Sequence, residues 1–383
     1  MWIGLDVHKC SVYITEMKED GSISEQYEIE NKDESWNAFR DRYLEVRPEI
    51  ALEVSTTGKY VARLLRDMGL SIHMADPVKL ALIFNTSKKN DKEDSYKLAK
   101  LLRLGELPEV HLPSMESDDL RSLVRYRRSI GEEITVIKNR THALLSRYGI
   151  TVEASDIFGR GGIREIEKRS EKISESDRYI LSDMLLRVSN LKDRASMIED
   201  EISRKCENNK DVNLLMTIPG INVYSAAAII SEIDDISRFS SKEKLASYAG
   251  LVPRQDQSGN RDIRGHITKH GPSMLRFILV NAAHTSIKYS LKMKKKYLSI
   301  VRRLGKNRAI VAIARILVEV IHTMLSRGQE YTDNIDSLTE RKMKNMSKRA
   351  KNPIGIQQLE ATMKLLIAKK YGKDREWKPE QSS

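Results

Sequence analysis

Two short apolar runs near the N-terminus are each interrupted by one carboxylate, and that limits what the chain can fold into. The runs are Ile3-Gly4-Leu5-Asp6-Val7 and Ile50-Ala51-Leu52-Glu53-Val54. Both read as strands within a sheet. A buried carboxylate is costly unless it is paired or bound to a cation. Two of them in one small domain require a positive charge between them. Asp91 and Asp94, three apart at the start of a helical segment, project from one face. A hard divalent cation is the natural counter-charge, since magnesium takes one or two carboxylates and completes its shell with water and phosphate oxygens. In isolation, Asp91 and Asp94 are read more simply as acids favoured at a helix N-terminus. Beside Asp6 and Glu53, the balance moves to a metal-binding quartet.

The order of elements around these acids is strand, strand, strand, helix, then strands alternating with helices. Strands are expected at residues 2–7, 10–17 and 23–29, with the turn signal Asp20-Gly21 between the last two. A helix is expected over 33–45, a strand over 50–54, a helix from Thr57 to Met68 and a strand over 71–75. Asp76-Pro77 opens another helix, and a polar loop from Ser87 to Asp91 precedes a helix reaching Leu104. This is an α/β layer domain over residues 1–110.

From 111 to 207 strand signals vanish, and two long helical runs flank a Gly-rich break at Gly159–Gly162. Their modest apolar stripes need a cover. Either they close on each other as a hairpin or they form an oligomerisation arm. Residues 208–328 form a mostly helical domain, and residues 329–383 a basic helical tail. The apolar stretch from Ala309 to Leu325 carries Arg315 and Glu319 and reads as a core helix rather than a membrane span. Nothing in the opening residues resembles a secretory signal. The two cysteines, Cys10 and Cys206, cannot build a disulfide framework or a zinc cluster. A cytoplasmic protein with no membrane partner is therefore expected.

Charge is unevenly spread. The net charge is +12, yet residues 261–383 alone carry +17, which leaves −5 for residues 1–260. The basic C-terminal third calls for a polyanion. Aromatic residues are only 6% of the chain, which argues against a protein that binds mainly by stacking bases. Lys292 to Arg308 hold eight bases and no acid, among them Lys294, Lys295, Lys296, Arg302 and Arg303. This is an electrostatic footprint for nucleic acid that supplies affinity and salt sensitivity rather than specificity.

Two motifs lie upstream of that run. Ile218-Pro219-Gly220-Ile221-Asn222 looks like the turn of a helix–hairpin–helix module, whose backbone N–H groups near Gly220 can grip a phosphate. Such modules usually carry a second glycine where Asn222 stands, and asparagine tolerates the left-handed geometry a glycine supplies. On its own the sequence is more simply a plain turn. The second motif runs from Tyr248 to Gly271 and is dense in glycine and arginine. Ser258 is a nucleophile only if a base or a metal activates it. Arg254, Arg261, Arg264 and Lys269 are placed to neutralise phosphate charge. On chemistry alone, a basic loop with Ser258 as a turn residue is the simpler reading.

Taken in order, these motifs resemble the DEDD transposases of the insertion-sequence 110 family, which also includes pilin-gene invertases. The signatures are Ile3 to Lys9, Leu52-Glu53, Asn90-Asp91 with Asp94, Ile218 to Ile221, and Gly250-Leu251-Val252-Pro253 through Ser258-Gly259 to Ile267-Thr268-Lys269 and Gly271. The resemblance covers residues 1–325. Ser95 departs from it, standing where alanine is common, and so does Pro272-Ser273. It implies an RNase H-like (RuvC-like) N-terminal domain with Asp6, Glu53, Asp91 and Asp94 holding Mg2+ or Mn2+, a central coiled-coil region, and a transposase domain with Ser258 as nucleophile. That serine would form a covalent bond to DNA, activated by the metal site across protomers. Implied partners are double-stranded DNA of element ends and target, a non-coding guide (bridge) RNA, and further copies of the chain as a dimer or tetramer. The alternative is a metal-dependent nuclease of the Holliday-junction resolvase kind that hydrolyses with water and makes no protein–DNA bond. A non-catalytic DNA-binding regulator is the remaining rival.

Overall fold

The computed structural model describes residues 1–83, 90–154, 156–258, 261–352 and 355–371. The chain divides into two compact units, Met1–Pro113 and Ser114–Ser383.

The first unit is a mixed six-stranded sheet with helices on both faces. Strands β1 (Trp2–Val7), β2 (Ser11–Met17) and β3 (Ile23–Glu30) form an antiparallel meander. Helix α1 (Asp33–Tyr43) carries the chain to β4 (Glu49–Glu53), which pairs parallel to β1. Helix α2 (Thr56–Asp67) leads to β5 (Ser71–Ala75), parallel to β4. Helices α3 (Pro77–Ile83) and α4 (Asp91–Leu104) follow, and β6 (Glu109–Val110) closes the edge antiparallel to β5. The strand order is β3-β2-β1-β4-β5-β6.

Side chains alternate across a strand, so β1 and β4 each divide their residues between two cores. Ile3, Leu5, Ile50 and Leu52 pack with Trp36, Phe39, Val61 and Leu65 under α1 and α2. Ala51 and Ala75 pack on the other face with Leu98, Leu101 and Leu102 of α4. The same alternation puts Gly4, Asp6 and Glu53 on the α4 face. The expected elements match these boundaries within a residue or two, except the two-residue β6, which is too short to show a pattern. Residues 87–89 of the expected polar loop lie outside the described residues.

Among its described residues the second unit is helical apart from one hairpin. Helix α5 (Met115–Arg147), about 50 Å long, and α7 (Glu175–Cys206) pack on each other. Helix α6 (Arg160–Arg169) caps their far end, where Ile137, Leu144, Phe158, Ile166, Leu181 and Val188 form a separate core. This helix was not expected, because glycines weaken a helical pattern. Gly162 is there for close approach: a Cβ on it would lie 2.4 Å from the Ile157 Cα.

The main core gathers α8 (Lys210–Leu215), α9 (Val223–Ile233), α10 (Lys242–Tyr248), α11 (Ser273–Tyr289) and α13 (Lys306–Arg327), with α12 (Leu291–Leu304) against it. Among the described residues α13 is the one helix long and apolar enough to cross a membrane. Its Ile313, Ala314, Leu317 and Ile321 are buried in this core, as expected for a core helix. Helix α14 (Asp336–Ala350) packs on α7, and α15 (Gly355–Tyr371) touches it. Strands β7 (Pro253–Ser258) and β8 (Arg261–Ile267) form a two-stranded antiparallel hairpin where only a glycine-rich break was expected. Its root is held by backbone crossings: a Cβ on Gly250 would meet the His270 carbonyl oxygen at 2.1 Å, and one on Gly271 the Tyr248 carbonyl oxygen at 1.9 Å. Two strands without apolar alternation leave no sheet signal in the sequence.

Candidate metal centre and nucleic-acid elements

Asp6 lies near the carboxyl end of β1, and the α4 N-terminus lies over it because β1 has no side chain at Gly4. A Cβ there would fall 1.9 Å from the Ser95 carbonyl oxygen and 2.6 Å from the Ala99 nitrogen. Buried Ser95 pins the same turn: its hydroxyl is 2.7 Å from that of Thr15 on β2 and donates to the Lys92 carbonyl at 3.1 Å. The departure at residue 95 thus has a contact that alanine could not make. Asn90 caps α4 by accepting from the Lys92 N–H at 3.1 Å.

Three of the groups at this corner converge. His8 Nε2 lies 3.3 Å from Asp6 Oδ2 and 3.4 Å from Asp91 Oδ2. Ligand atoms of Asp6, His8 and Asp91 all fall within 4.8 Å of one another, close enough for one ion. Burial pushes the Asp6 carboxyl above its ordinary value; His8 opposes this, and Asp91 and Asp94 add to it. A carboxyl destabilised in this way by burial and by like charges suits a site that binds a cation. Asp94 faces Lys97 instead, with Nζ to Oδ1 at 2.9 Å and the lysine side chain 9% exposed. Glu53 ends β4, and continuing the β1–β4 register one step past Leu5–Leu52 sets it beside Asp6. So the structure gathers Asp6 and Asp91 with His8, keeps Asp94 on a lysine, and holds Glu53 at the adjacent strand end. His8 was not singled out from sequence. The signal was its spacing two residues from Asp6, which keeps it near the same face.

In the second unit Gly220 has φ 99° and sits against α11, where a Cβ would meet the Ala282 carbonyl oxygen at 2.8 Å and Thr285 Cβ at 2.9 Å. Asn222 is extended, not left-handed, and caps α9 by accepting from the Ser225 N–H at 2.9 Å. The missing second glycine is therefore a helix cap. The backbone of Ser258 closes β7 opposite Arg261. The side chains of Ser258, Arg261 and Arg264, and the residues Gly259 and Asn260, lie outside the described residues. Arg254 and Lys269 are exposed, and Lys269 holds a left-handed φ of 56°. Arg276 ties the hairpin root, donating to the carbonyls of His270 at 2.8 Å and Gly271 at 3.0 Å. Lys294, Lys295, Lys296, Arg302 and Arg303 are all exposed on α12.

Acids meeting at the carboxyl end of a mixed sheet, in one chain with a basic helical unit, describe an enzyme that acts on nucleic acid. The comparisons with known proteins name its class. Residues 3–150 match a transposase family model, and residues 212–298 match the model described as transposase IS116/IS110/IS902 family. Together these matches span more than half of the chain, which belongs to the insertion-sequence 110 family of transposases, enzymes that cut and transfer DNA. The transposase for insertion sequence element IS1111A of Coxiella burnetii is 26% identical over 293 residues, covering 74% of this chain and 79% of the relative. That for insertion sequence element IS1328 of Yersinia enterocolitica is 25% identical over 243 residues, 61% of this chain and 69% of the relative. The pilin gene-inverting protein of Moraxella bovis is 31% identical over 132 residues, 34% of this chain and 41% of the relative.

Proposed function

We propose that this transposase is a site-specific recombinase whose first unit is RNase H-like and holds Mg2+ or Mn2+ on Asp6, Glu53, Asp91 and Asp94, and whose nucleophile is Ser258. The observation that carries the metal site is the approach of Asp6, His8 and Asp91 ligand atoms to within 4.8 Å of one another. The strand order β3-β2-β1-β4-β5 and the helix bearing two acids support the RNase H-like reading. When bound, a divalent ion neutralises charge on a phosphodiester and lowers the pKa of a coordinated oxygen.

The chain's own groups supply the rest. Asp6 and Asp91, bridged by His8, would hold the ion. The Ser258 oxygen attacks phosphorus as its proton passes to solvent water, which returns a proton to the leaving oxygen. A P–O bond to the DNA forms, and the bond to the leaving DNA oxygen breaks, that oxygen leaving as a hydroxyl. The phosphoserine diester conserves the bond energy, so a second DNA hydroxyl rejoins the strands and returns the serine. Arg254, Arg261, Arg264 and Lys269 balance the phosphate charge, and the Gly220 turn with Lys294, Lys295, Lys296, Arg302 and Arg303 grips the backbone of duplex DNA. A non-coding guide RNA selects the sites, and the chain acts in the cytoplasm as a homo-oligomer.

The test is a denaturing gel with labelled DNA. The wild-type chain with Mg2+ carries label on protein, and Ser258→Ala carries none while binding DNA as before. Cleavage by Ser258→Ala at the wild-type rate would give the reaction to water and make the chain a resolvase-like nuclease.

A further inference from the structure

Helix α12 is buried along one stripe only. Met293 is 4% exposed, and Tyr297 and Ile300 pack beside it on the core. Leu291, Lys295, Leu298 and Arg302, spaced four, three and four, share a second face. The two leucines on this crest are 72% and 48% exposed. Lys292, Lys296, Ser299 and Arg303 repeat that spacing one residue over and are exposed as well. Among the described residues, none of the eight bases from Lys292 to Arg308 makes an ion pair. A groove of about 800 Å³ runs along the second basic stripe, bordered by Lys242, Lys292, Lys296 and Arg327, with Glu319 and Glu330 also on its wall. Glu319 is taken by Arg315 at 3.2 Å.

A solvated basic face needs no leucines, and a core-facing helix would not leave its crest exposed. The pattern fits one occupant. Eight unpaired cations require a polyanion, and a helix whose exposed crest alternates Leu291 and Leu298 with Lys295 and Arg302, beside a basic flank, fits the major groove of B-form DNA, which admits an α-helix. At about 21 Å, α12 spans about six base pairs. A-form RNA duplex has a major groove too narrow for it. We infer that α12 lies in the major groove of duplex DNA, with Leu291 and Leu298 against the base edges. Lys292 and Lys296, beside the groove, and Arg303 further along the same stripe meet one phosphate backbone, and Lys294 turns toward the other. This rests on the reading that the chain acts on duplex DNA, and it adds contact with the bases to the sequence-independent footprint.

The test measures binding of the full chain to three 30-base-pair probes of one sequence: plain DNA, DNA glucosylated at 5-hydroxymethylcytosine, and RNA. Glucosylation, which fills the major groove, weakens binding about tenfold or more, and RNA duplex binds more weakly still. Netropsin, which fills the minor groove, changes nothing. Leu291→Ala/Leu298→Ala lowers affinity for plain DNA about three- to tenfold without altering the salt slope. Lys292→Ala/Lys296→Ala/Arg303→Ala flattens the log–log salt slope by about 2–3. Displacement by netropsin but not by glucosylation, equal binding of RNA, or leucine variants as tight as wild type would each overturn the inference. Loss of the covalent serine adduct with these binding results intact would remove the proposed chemistry and leave the groove helix standing.

Discussion

The carbonyl oxygen of Ser95 on α4 occupies the space where Gly4 on β1 would carry a side chain, 1.9 Å from an ideal Cβ. That contact sets the height of α4 above the sheet, and so the distance of Asp91 from Asp6. A methyl group at Gly4 must push the helix away. Gly4→Ala should cost about 1–3 kcal/mol by overpacking, read by urea unfolding, and should abolish Mg2+-dependent strand cleavage. Retained cleavage at wild-type rate would mean that the helix position does not set the site.

The Asp6 carboxyl is raised above its ordinary value of 3.8, first by burial and then by Asp91 and Asp94, against the pull of His8. A raised carboxyl binds its proton more tightly in the folded state, so the stability it contributes is present below about 3.8 and is lost as pH rises through the folded value. At neutral pH, Asp6→Asn removes this penalty. The expected result is a metal-free melting temperature at or above wild type, together with loss of the upward shift that Mg2+ gives the wild-type chain. Chelation should lower the melting temperature of wild type only.

His73 on β5 bridges two strands, with Nε2 2.7 Å from Glu49 and Nδ1 2.7 Å from Glu109. Burial pulls its imidazole down, but the bonds to Glu49 and Glu109 outweigh burial and leave the group above 6.5. Its stabilising effect is complete below about pH 6.5 and fades as pH rises through the folded value. The first unit should melt at a lower temperature at about pH 8.5 than at about pH 6, and His73→Gln should reduce that difference. An unchanged difference in the variant would assign the effect elsewhere.

Lys342 of α14 reaches the turn between α8 and α9, where its ammonium donates to the carbonyls of Ile218 and Ile221, each at 3.0 Å, and to that of Met216. Burial brings it down to about 8 from 10.5. The stability tied to this group is therefore present above 10.5 and lost as pH falls through about 8. Lys342→Met leaves three carbonyls without this donor and should cost about 1–3 kcal/mol above pH 10.5 and less at neutral pH, where it also removes the penalty of the buried charge, measured by urea unfolding. It should also flatten the stability profile between pH 8 and 10.5.

Much of the first unit was legible from residue order alone. Alternation in Ile3 to Val7 and Ile50 to Glu53, a turn at Asp20-Gly21 and a polar loop before Asp91 are local signals, and the elements fall where they point. The two long helices α5 and α7 were legible too, though not which of their two covers they take. Residues 329–383 read only as a basic helical tail, whereas Lys342 on α14 is a clamp on the Gly220 turn. Neighbours along the chain gave no hint of a contact that joins residues more than a hundred positions apart.

Local chemistry settled which residue types stand where: carboxylates in apolar strands, a basic stripe from Lys292 to Arg308, and glycines at points of close approach. Tertiary structure decided which of them meet. It drew His8 to Asp6 and Asp91, turned Asp94 toward Lys97, and left one face of α12 bare. The reason is physical: periodicity fixes the face a side chain takes on its own element, but the distance between two faces depends on packing that neither segment encodes alone.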